Sequence, residues 1–171
     1  MVTVAKTAGF CFGVKRAVDM AERACQEYGS IWALGDIIHN THEVRRLEEM
    51  GVHKAEDVAD IPDGVPVLIR AHGVPEAVLR QLETKGCRIV DATCPFVGKI
   101  HRIAQKEEAN GRHILIIGNA KHPEVEGIRG WCEKASYVVE SADEARNLTF
   151  PAGEKLCIVA QTTFNYNKFE D

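Results

Sequence analysis

The sequence has few aromatic residues and no long apolar run. Aromatic side chains make up 6% of its 171 residues. The longest apolar stretches, such as residues 65–69 and 114–117, are only as long as ordinary β-strands. The first residues, MVTVAK, lack the charged and then apolar layout of an export signal. We therefore expect a cytoplasmic protein with no membrane partner.

Charge of one sign is not concentrated anywhere along the chain. The sequence contains 21 basic and 25 acidic residues, for a formal net charge of −4. Without a basic patch there is no electrostatic basis for nucleic-acid binding, so no nucleic-acid partner is expected. Hydrophobic residues at 45% and charged residues at 27% are typical of a globular protein and exclude disorder.

Cysteine, in contrast, is abundant, with six in the chain. In a protein without an export signal, this usage indicates reduced thiols that pack in the core or bind metal. Cys11 and Cys94 each fall in a predicted strand-to-helix loop, where a helix N-terminus favours the thiolate and hence metal or cluster binding. The other four fall at packing positions and are Cys25, Cys87, Cys132 and Cys157.

Short β-branched runs alternate with helical patterns from end to end. The predicted strands cover residues 2–5, 31–34, 65–71, 88–92, 113–118, 137–139 and 156–160. The predicted helices cover residues 14–27, 43–50, 75–85, 96–109 and 124–131, with further helices starting near residues 141 and 163. Such alternation predicts an α/β protein with parallel sheets covered by helices. Two small parallel-sheet domains, 1–94 and 95–171, fit the pattern better than one large sheet.

Side chains capable of chemistry follow most of the predicted strands. Ligands of open α/β sheets bind beyond the carboxyl ends of the strands, so these side chains are expected to share one face. The residues at these positions are Cys11, His39, His72, Cys94, His122, Glu124 and Thr162.

Three of these residues are histidines, and together they suit an anion such as a phosphate ester. His39, His72 and His122 could equally bind zinc, although their separations match no local zinc spacing. Glu124 is either a helix N-terminal carboxylate or a proton donor, and Thr162 is either a helix cap or a proton relay. The remaining histidines, expected on polar helix faces, in a loop or at a strand start, are His42, His53, His101 and His113.

Six motifs, in this order, resemble those of the 4-hydroxy-3-methylbut-2-enyl diphosphate (HMBPP) reductases, the LytB family. They are GFCFGV at 9–14, IHN at 38–40, RAHG at 70–73, DATCP at 91–95, HPEVEG at 122–127 and QTT at 161–163. The resemblance implies an oxidoreductase that removes the hydroxyl group of HMBPP with two electrons. The implied products are isopentenyl and dimethylallyl diphosphate, in the last step of non-mevalonate isoprenoid precursor synthesis.

The resemblance also implies a 4Fe-4S cluster, fed by an electron donor such as ferredoxin or flavodoxin. Cys11 and Cys94 match two of the three cysteines that hold iron in that family. Glu124 matches its proton donor. The implied substrate-binding residues are His39, His72, His122 and Thr162.

The family's third cluster cysteine belongs to a later segment, which has no match before Asp171. We therefore expect the chain to be an N-terminal portion of such an enzyme. It would hold two domains of a pseudo-threefold, three-domain architecture, with the third domain missing and the second truncated at its final helix. Alone, it is expected to bind a cluster poorly and to be nearly inactive. The alternatives are a divalent-metal phosphoester hydrolase and a non-catalytic α/β module.

Overall fold

Strands and helices alternate from Phe12 to Glu170 in this computed structural model, which describes residues 2–6, 8–150 and 152–170. The strands are β1 (Ile31–Leu34), β2 (Val52–Ala55), β3 (Pro66–Ile69), β4 (Arg88–Asp91), β5 (His113–Ile117), β6 (Tyr137–Val139) and β7 (Leu156–Ala160). The helices are α1 (Phe12–Tyr28), α2 (Thr41–Glu49), α3 (Glu76–Thr84), α4 (Pro95–Ala109), α5 (Pro123–Arg129), α6 (Ala142–Arg146) and α7 (Tyr166–Glu170). Within these ranges no helix is long and apolar enough to cross a bilayer.

The strands form two separate parallel sheets, which confirms the predicted α/β class. The first sheet has the order β2-β1-β3-β4 and the second has the order β6-β5-β7. All pairings within both sheets are parallel. Because parallel neighbours need a crossover connection, helices lie between most successive strands. The carboxyl ends of the strands in each sheet therefore share one edge.

Helices pack on both faces of the first sheet. Successive residues of a strand point to opposite faces. Accordingly, Ile31 and Ala33 of β1 pack in one core cluster, which includes the buried alanines of α1. Trp32 and Leu34 pack with a second cluster, which includes Leu82 of α3. The second sheet has its own core, in which α4 and α5 cover β5.

Three local features differ from the sequence prediction. Residues 2–5 form no strand: Val2 is 94% exposed and Val4 is 76% exposed, and no strand among the described residues pairs with them. A short apolar stretch has strand structure only where a partner supplies hydrogen bonds. Conversely, β2 was not predicted, because only Val52 and Ala55 at its two ends are buried and the usual alternation is absent. In addition, α7 begins at Tyr166, three residues later than expected.

The two sheets meet along a close contact between the loop after β3 and the end of α5, which we call the seam. The indole nitrogen of Trp131 donates to the carbonyl oxygen of Val74 at 3.0 Å. The amide of Glu76 donates to the carbonyl oxygen of Gly130 at 3.2 Å. A Cβ atom on Gly130 would lie only 2.7 Å from the Cα atom of Pro75, so the two backbones approach as closely as a glycine permits. The seam thus fixes the ends of the two sheets against each other.

Candidate functional site

Three histidine rings lie together where the ends of the two sheets meet. His39 follows β1, His72 follows β3, and His122 immediately precedes α5. The ring centroids are 4.4 Å apart for His39 and His72, 5.6 Å for His39 and His122, and 5.5 Å for His72 and His122. Each ring offers a nitrogen within 4.8 Å of the nitrogens of the other two. The structure thus brings together side chains that are 33 and 50 residues apart in sequence.

Burial lowers the pKa values of two of the three rings, those of His72 and His122, and so favours their neutral forms. Burial lowers the pKa of His72 to about 4, and His39, Arg70 and His122 lower it further by charge repulsion. Burial is also the main cause of the lowered pKa of His122. Among the described residues, neither Nδ1 of His72 nor Nε of Arg70 has a hydrogen-bond partner. The cluster therefore combines unsatisfied nitrogens with a half-buried guanidinium, an arrangement that an anion would stabilise.

Glu124 lies beside this cluster and is almost fully buried, with 1% of its surface exposed. Its carboxylate accepts two hydrogen bonds from Thr162 at the end of β7. The amide of Thr162 donates to Oε1 at 2.7 Å, and its hydroxyl donates to Oε2 at 2.9 Å. Since Thr162 is itself exposed, its hydroxyl connects a buried carboxyl group to the surface. Through Thr162, a proton can pass between the carboxyl group of Glu124 and the protein surface.

The two loop cysteines occupy equivalent positions at the starts of two long helices. Cys11 is the N-cap residue of α1 and Cys94 is the N-cap residue of α4, and neither side chain caps its helix. A Cβ atom on Gly13 would lie 2.6 Å from Sγ of Cys94, so the first turn of α1 lies directly against that thiol. Arg16 of α1 donates to the carbonyl oxygen of Thr93 at 3.1 Å and secures this contact. Two available sulfurs at helix N-termini fit a thiophilic metal or cluster.

The other four cysteines lie at packing positions, as expected. Cys25 is buried in the core of the first sheet, and burial raises its pKa. Burial raises the pKa of Cys132 to about 11, and it also raises the pKa of Cys157, in β7. Cys87 precedes β4 and contacts the carbonyl oxygen of Pro62 at 3.6 Å. None of them is as well suited to bind metal as the two at the helix starts.

His101 was expected on a polar helix face, and this prediction is wrong. It is 3% exposed and stacks on Trp131, with ring centroids 5.4 Å apart. A Cβ atom on Gly73 would lie 2.6 Å from the His101 ring, and one on Gly127 would lie 3.3 Å from its Nε2. The ring therefore supports both the loop that carries His72 and the helix that follows His122. The spacing of Val97, His101, Ala104 and Glu108 along one stripe of α4 is the signal that could have revealed its burial.

Gln161 is a second supporting residue, which lies in the QTT motif and was assigned no role from the sequence. Its Oε1 accepts from the amide of Asn119 at 3.2 Å, and its Nε2 donates to the hydroxyl of Thr163 at 2.8 Å. The side chain therefore bridges the loops that follow β5 and β7. This bridge holds Thr162 in place opposite Glu124.

Replacement of Glu124 tests how much its two hydrogen bonds stabilise the fold. Glu124→Ala removes both acceptors and leaves a cavity, so we expect the free energy of unfolding to fall by about 3 kcal/mol. Glu124→Gln can still accept from the Thr162 amide and can donate to its hydroxyl, so we expect a loss of about 1 kcal/mol. Urea unfolding of both variants measures the difference. Equal losses would show that the contact with Thr162 does not stabilise the protein.

A family model described as LytB protein matches residues 2–171 of the chain. The chain is 43% identical over 165 residues to the 4-hydroxy-3-methylbut-2-enyl diphosphate reductase of Clostridioides difficile, covering 96% of this chain and 59% of that protein. It is 43% identical over 174 residues to the reductase of the same name from Caldanaerobacter subterraneus subsp. tengcongensis, covering 99% of this chain and 60% of that protein. The chain therefore spans less than two thirds of the length of these relatives.

Solved structures show the same similarity. The corresponding reductase from Plasmodium falciparum superposes with a TM-score of 0.93 at 31% identity, covering 96% of this chain and 52% of that one. A second reductase structure, described as the terminal enzyme of the non-mevalonate pathway, gives a TM-score of 0.81 at 37% identity. It covers 99% of this chain and 60% of that one.

Proposed function

The chain belongs to the LytB protein family, and on this premise we propose that it supplies the diphosphate-binding and proton-transfer part of an HMBPP reductase. The proposed reaction is the reductive removal of the substrate hydroxyl as water, which gives isopentenyl and dimethylallyl diphosphate. The observation that carries the proposal is the meeting of three imidazole rings at the ends of the sheets. The diphosphate group of HMBPP is the part of the substrate that such a cluster can bind.

Diphosphate binding follows from the electrostatics of the histidine cluster. An anion among the rings raises the pKa of His72, which burial and repulsion by neighbouring positive charges now lower, so this ring can take up a proton as the anion binds. The resulting hydrogen bonds from imidazolium to phosphate oxygen are charge-assisted and short. Arg70 adds positive charge close to the cluster. We assign His39, His72 and His122 as the diphosphate-binding residues.

Proton transfer is assigned to Glu124, with Thr162 beside it at the substrate. Loss of hydroxide is slow unless the oxygen receives a proton as it departs. Glu124 is buried among protein atoms and holds its carboxylate against the Thr162 hydroxyl. The hydroxyl can orient the substrate oxygen and pass the proton from the carboxyl group. Thr162 therefore binds substrate and Glu124 donates the proton.

Cys11 and Cys94 are the residues of this chain that would hold a 4Fe-4S cluster. Their thiols do not cap their helices, and the absence of a side chain at Gly13 lets Sγ of Cys94 lie against the first turn of α1, the helix that Cys11 precedes. When bound, such a cluster supplies electrons and an open iron that acts as a Lewis acid. A ferredoxin or flavodoxin is the proposed electron donor. Because only two of the three cysteine ligands are assigned in this chain, we expect it to hold the cluster weakly and to turn over little by itself.

A divalent-metal phosphoester hydrolase is the second candidate, because the three ring nitrogens lie within 4.8 Å of one another. The two candidates differ in the ligand that the histidines bind. The reductase proposal requires a diphosphate among the rings, whereas the hydrolase requires a metal ion there.

Calorimetry with HMBPP and with inorganic pyrophosphate tests the proposed function. We expect both to bind the 171-residue chain, and we expect His39→Asn to weaken their binding about tenfold through loss of one charge-assisted contact. His53→Asn, a substitution at an exposed histidine of β2, is the matched control and should leave affinity unchanged. Failure of both ligands to bind, or zinc-dependent release of phosphate from simple esters, would contradict the proposal.

Anaerobic reconstitution with iron and sulfide tests the cluster assignment. We expect substoichiometric iron and sulfide in the wild-type chain, and none in the double variant Cys11→Ser, Cys94→Ser. The control variant Cys25→Ser changes a core thiol and should retain the wild-type iron content. One stable four-iron cluster per chain with reductase turnover would show that the chain needs no further ligand.

A further inference from the structure

The His122 ring makes a specific contact with the backbone of the helix that it precedes. It is the N-cap residue of α5, and its Nδ1 accepts a hydrogen bond from the amide of Glu124 at 3.1 Å. A ring nitrogen that accepts a hydrogen bond carries no proton. In a neutral imidazole the single proton must then lie on the other nitrogen, Nε2.

We propose that the Glu124 amide locks His122 in the tautomer that carries its proton on Nε2, so that the neutral ring already presents an N–H donor to a phosphate oxygen. This inference rests on the proposed function only for the identity of the ligand. The tautomer itself follows from the contact between His122 and Glu124.

The alternative tautomer has two costs. A proton on Nδ1 would face the Glu124 amide, and two donors would then point at each other where one hydrogen bond now exists. The same change would leave a lone pair on Nε2, which repels an anion instead of binding it. The groups whose charges interact with the ring are Glu124, His39, Arg70, Glu126 and His72. Within the described part of the chain, the hydrogen bond to Nδ1 comes from the backbone amide of Glu124, and this contact sets the tautomer.

The lock also decides between the two candidate ligands of the histidine cluster. A divalent metal bound at Nε2 needs the lone pair there and moves the proton to Nδ1. In metal sites that second nitrogen donates to a carbonyl or carboxylate, whereas here it meets an amide donor. An anion, in contrast, uses the proton where it already lies. The local structure of α5 therefore favours a phosphate over a metal at His122.

Nitrogen-15 NMR of the histidine side chains in the 171-residue chain tests the lock directly at pH 7.5. We expect His122, identified by its missing signals in His122→Asn, to show an unprotonated Nδ1 and a protonated Nε2. Saturating pyrophosphate should leave the Nε2 proton in place, and Zn²⁺ should not move it to Nδ1. A protonated Nδ1 in the free neutral ring, or Zn²⁺ binding that transfers the proton, would overturn the proposal.

A pair of variants separates the two nitrogens. His122→Asn keeps an acceptor for the Glu124 amide but has no donor at the position of Nε2, so α5 should persist while pyrophosphate affinity falls about tenfold. Gln reaches the Nε2 position with an amide donor but caps poorly, so His122→Gln should bind more tightly than His122→Asn and be less stable. Wild-type affinity in His122→Asn would contradict the lock. Absence of pyrophosphate binding in the wild-type chain would instead refute the proposed function, while the NMR result would still decide the tautomer.

Discussion

The Gly130→Ala variant is expected to lose about 3 kcal/mol of unfolding free energy, more than a Gly-to-Ala change normally costs. Its backbone is helical, with φ of −73°, so the added methyl group causes no conformational strain. The loss comes from contact across the seam, because the new Cβ would lie 2.7 Å from the Cα of Pro75. Backbone atoms cannot rotate away as a flexible side chain can. Relief therefore requires the seam to open, which also weakens the bond from the Glu76 amide to the Gly130 carbonyl.

Opening of the seam should also disturb the site. His72 lies in the loop after β3, which forms one side of the seam, and His122 precedes α5, whose end forms the other side. We expect pyrophosphate affinity to fall together with stability in Gly130→Ala. Gly98→Ala is the matched control: position 98 lies within α4, its Cβ would be 3.5 Å from an Arg102 nitrogen, and alanine favours helix by up to about 1 kcal/mol. Urea unfolding and calorimetry of both variants provide the comparison. Equal free energies of unfolding for Gly130→Ala and Gly98→Ala would mean that the loop after β3 and the end of α5 can move apart without loss of stability.

The parallel sheets could be predicted from the sequence because their signals are local. The alternation of strand and helix patterns, with glycine at several helix ends, can be recognised without knowledge of distant contacts. The placement of His39, His72 and His122 after strands or before a helix was readable for the same reason, since parallel strands end on a shared edge. What the sequence could not give is the distance between the rings, which depends on how the two sheets meet.

The incorrect predictions concern features that depend on tertiary contacts. Residues 2–5 have a strand-like composition, yet strand formation depends on a neighbouring strand. His101 was judged by its polarity, although it lies on the same stripe of α4 as Val97 and Ala104. The roles of Gly73 and Gly127 beside the His101 ring are equally invisible in sequence, because a glycine in a loop or helix does not reveal what lies against it. These residues support the site without displaying any chemical motif.

Acidification from pH 6.5 to pH 4 should destabilise the protein strongly through His72 and His101. Burial lowers the pKa of each to about 4, whereas an unfolded chain has a histidine pKa near 6.5. Between these values the unfolded state binds more protons than the folded state, so the free energy of unfolding falls as the pH falls. Each histidine can contribute up to about 1.4 kcal/mol per pH unit in this window, and the half-exposed setting of His72 reduces its share.

The variant His101→Phe isolates one of these contributions. Phenylalanine can still stack on Trp131 but cannot take up a proton, so the dependence of unfolding free energy on pH should become shallower by up to about 1.4 kcal/mol per pH unit. Carboxylates also titrate toward pH 4, and comparison of variant with wild type removes their contribution. His53→Asn, at an exposed position, should retain the wild-type slope. In His101→Phe, pyrophosphate should further reduce the dependence of the unfolding free energy on pH, because an anion raises the folded-state pKa of His72. A slope unchanged by His101→Phe would show that the buried ring is already protonated near neutral pH or that it titrates equally in both states.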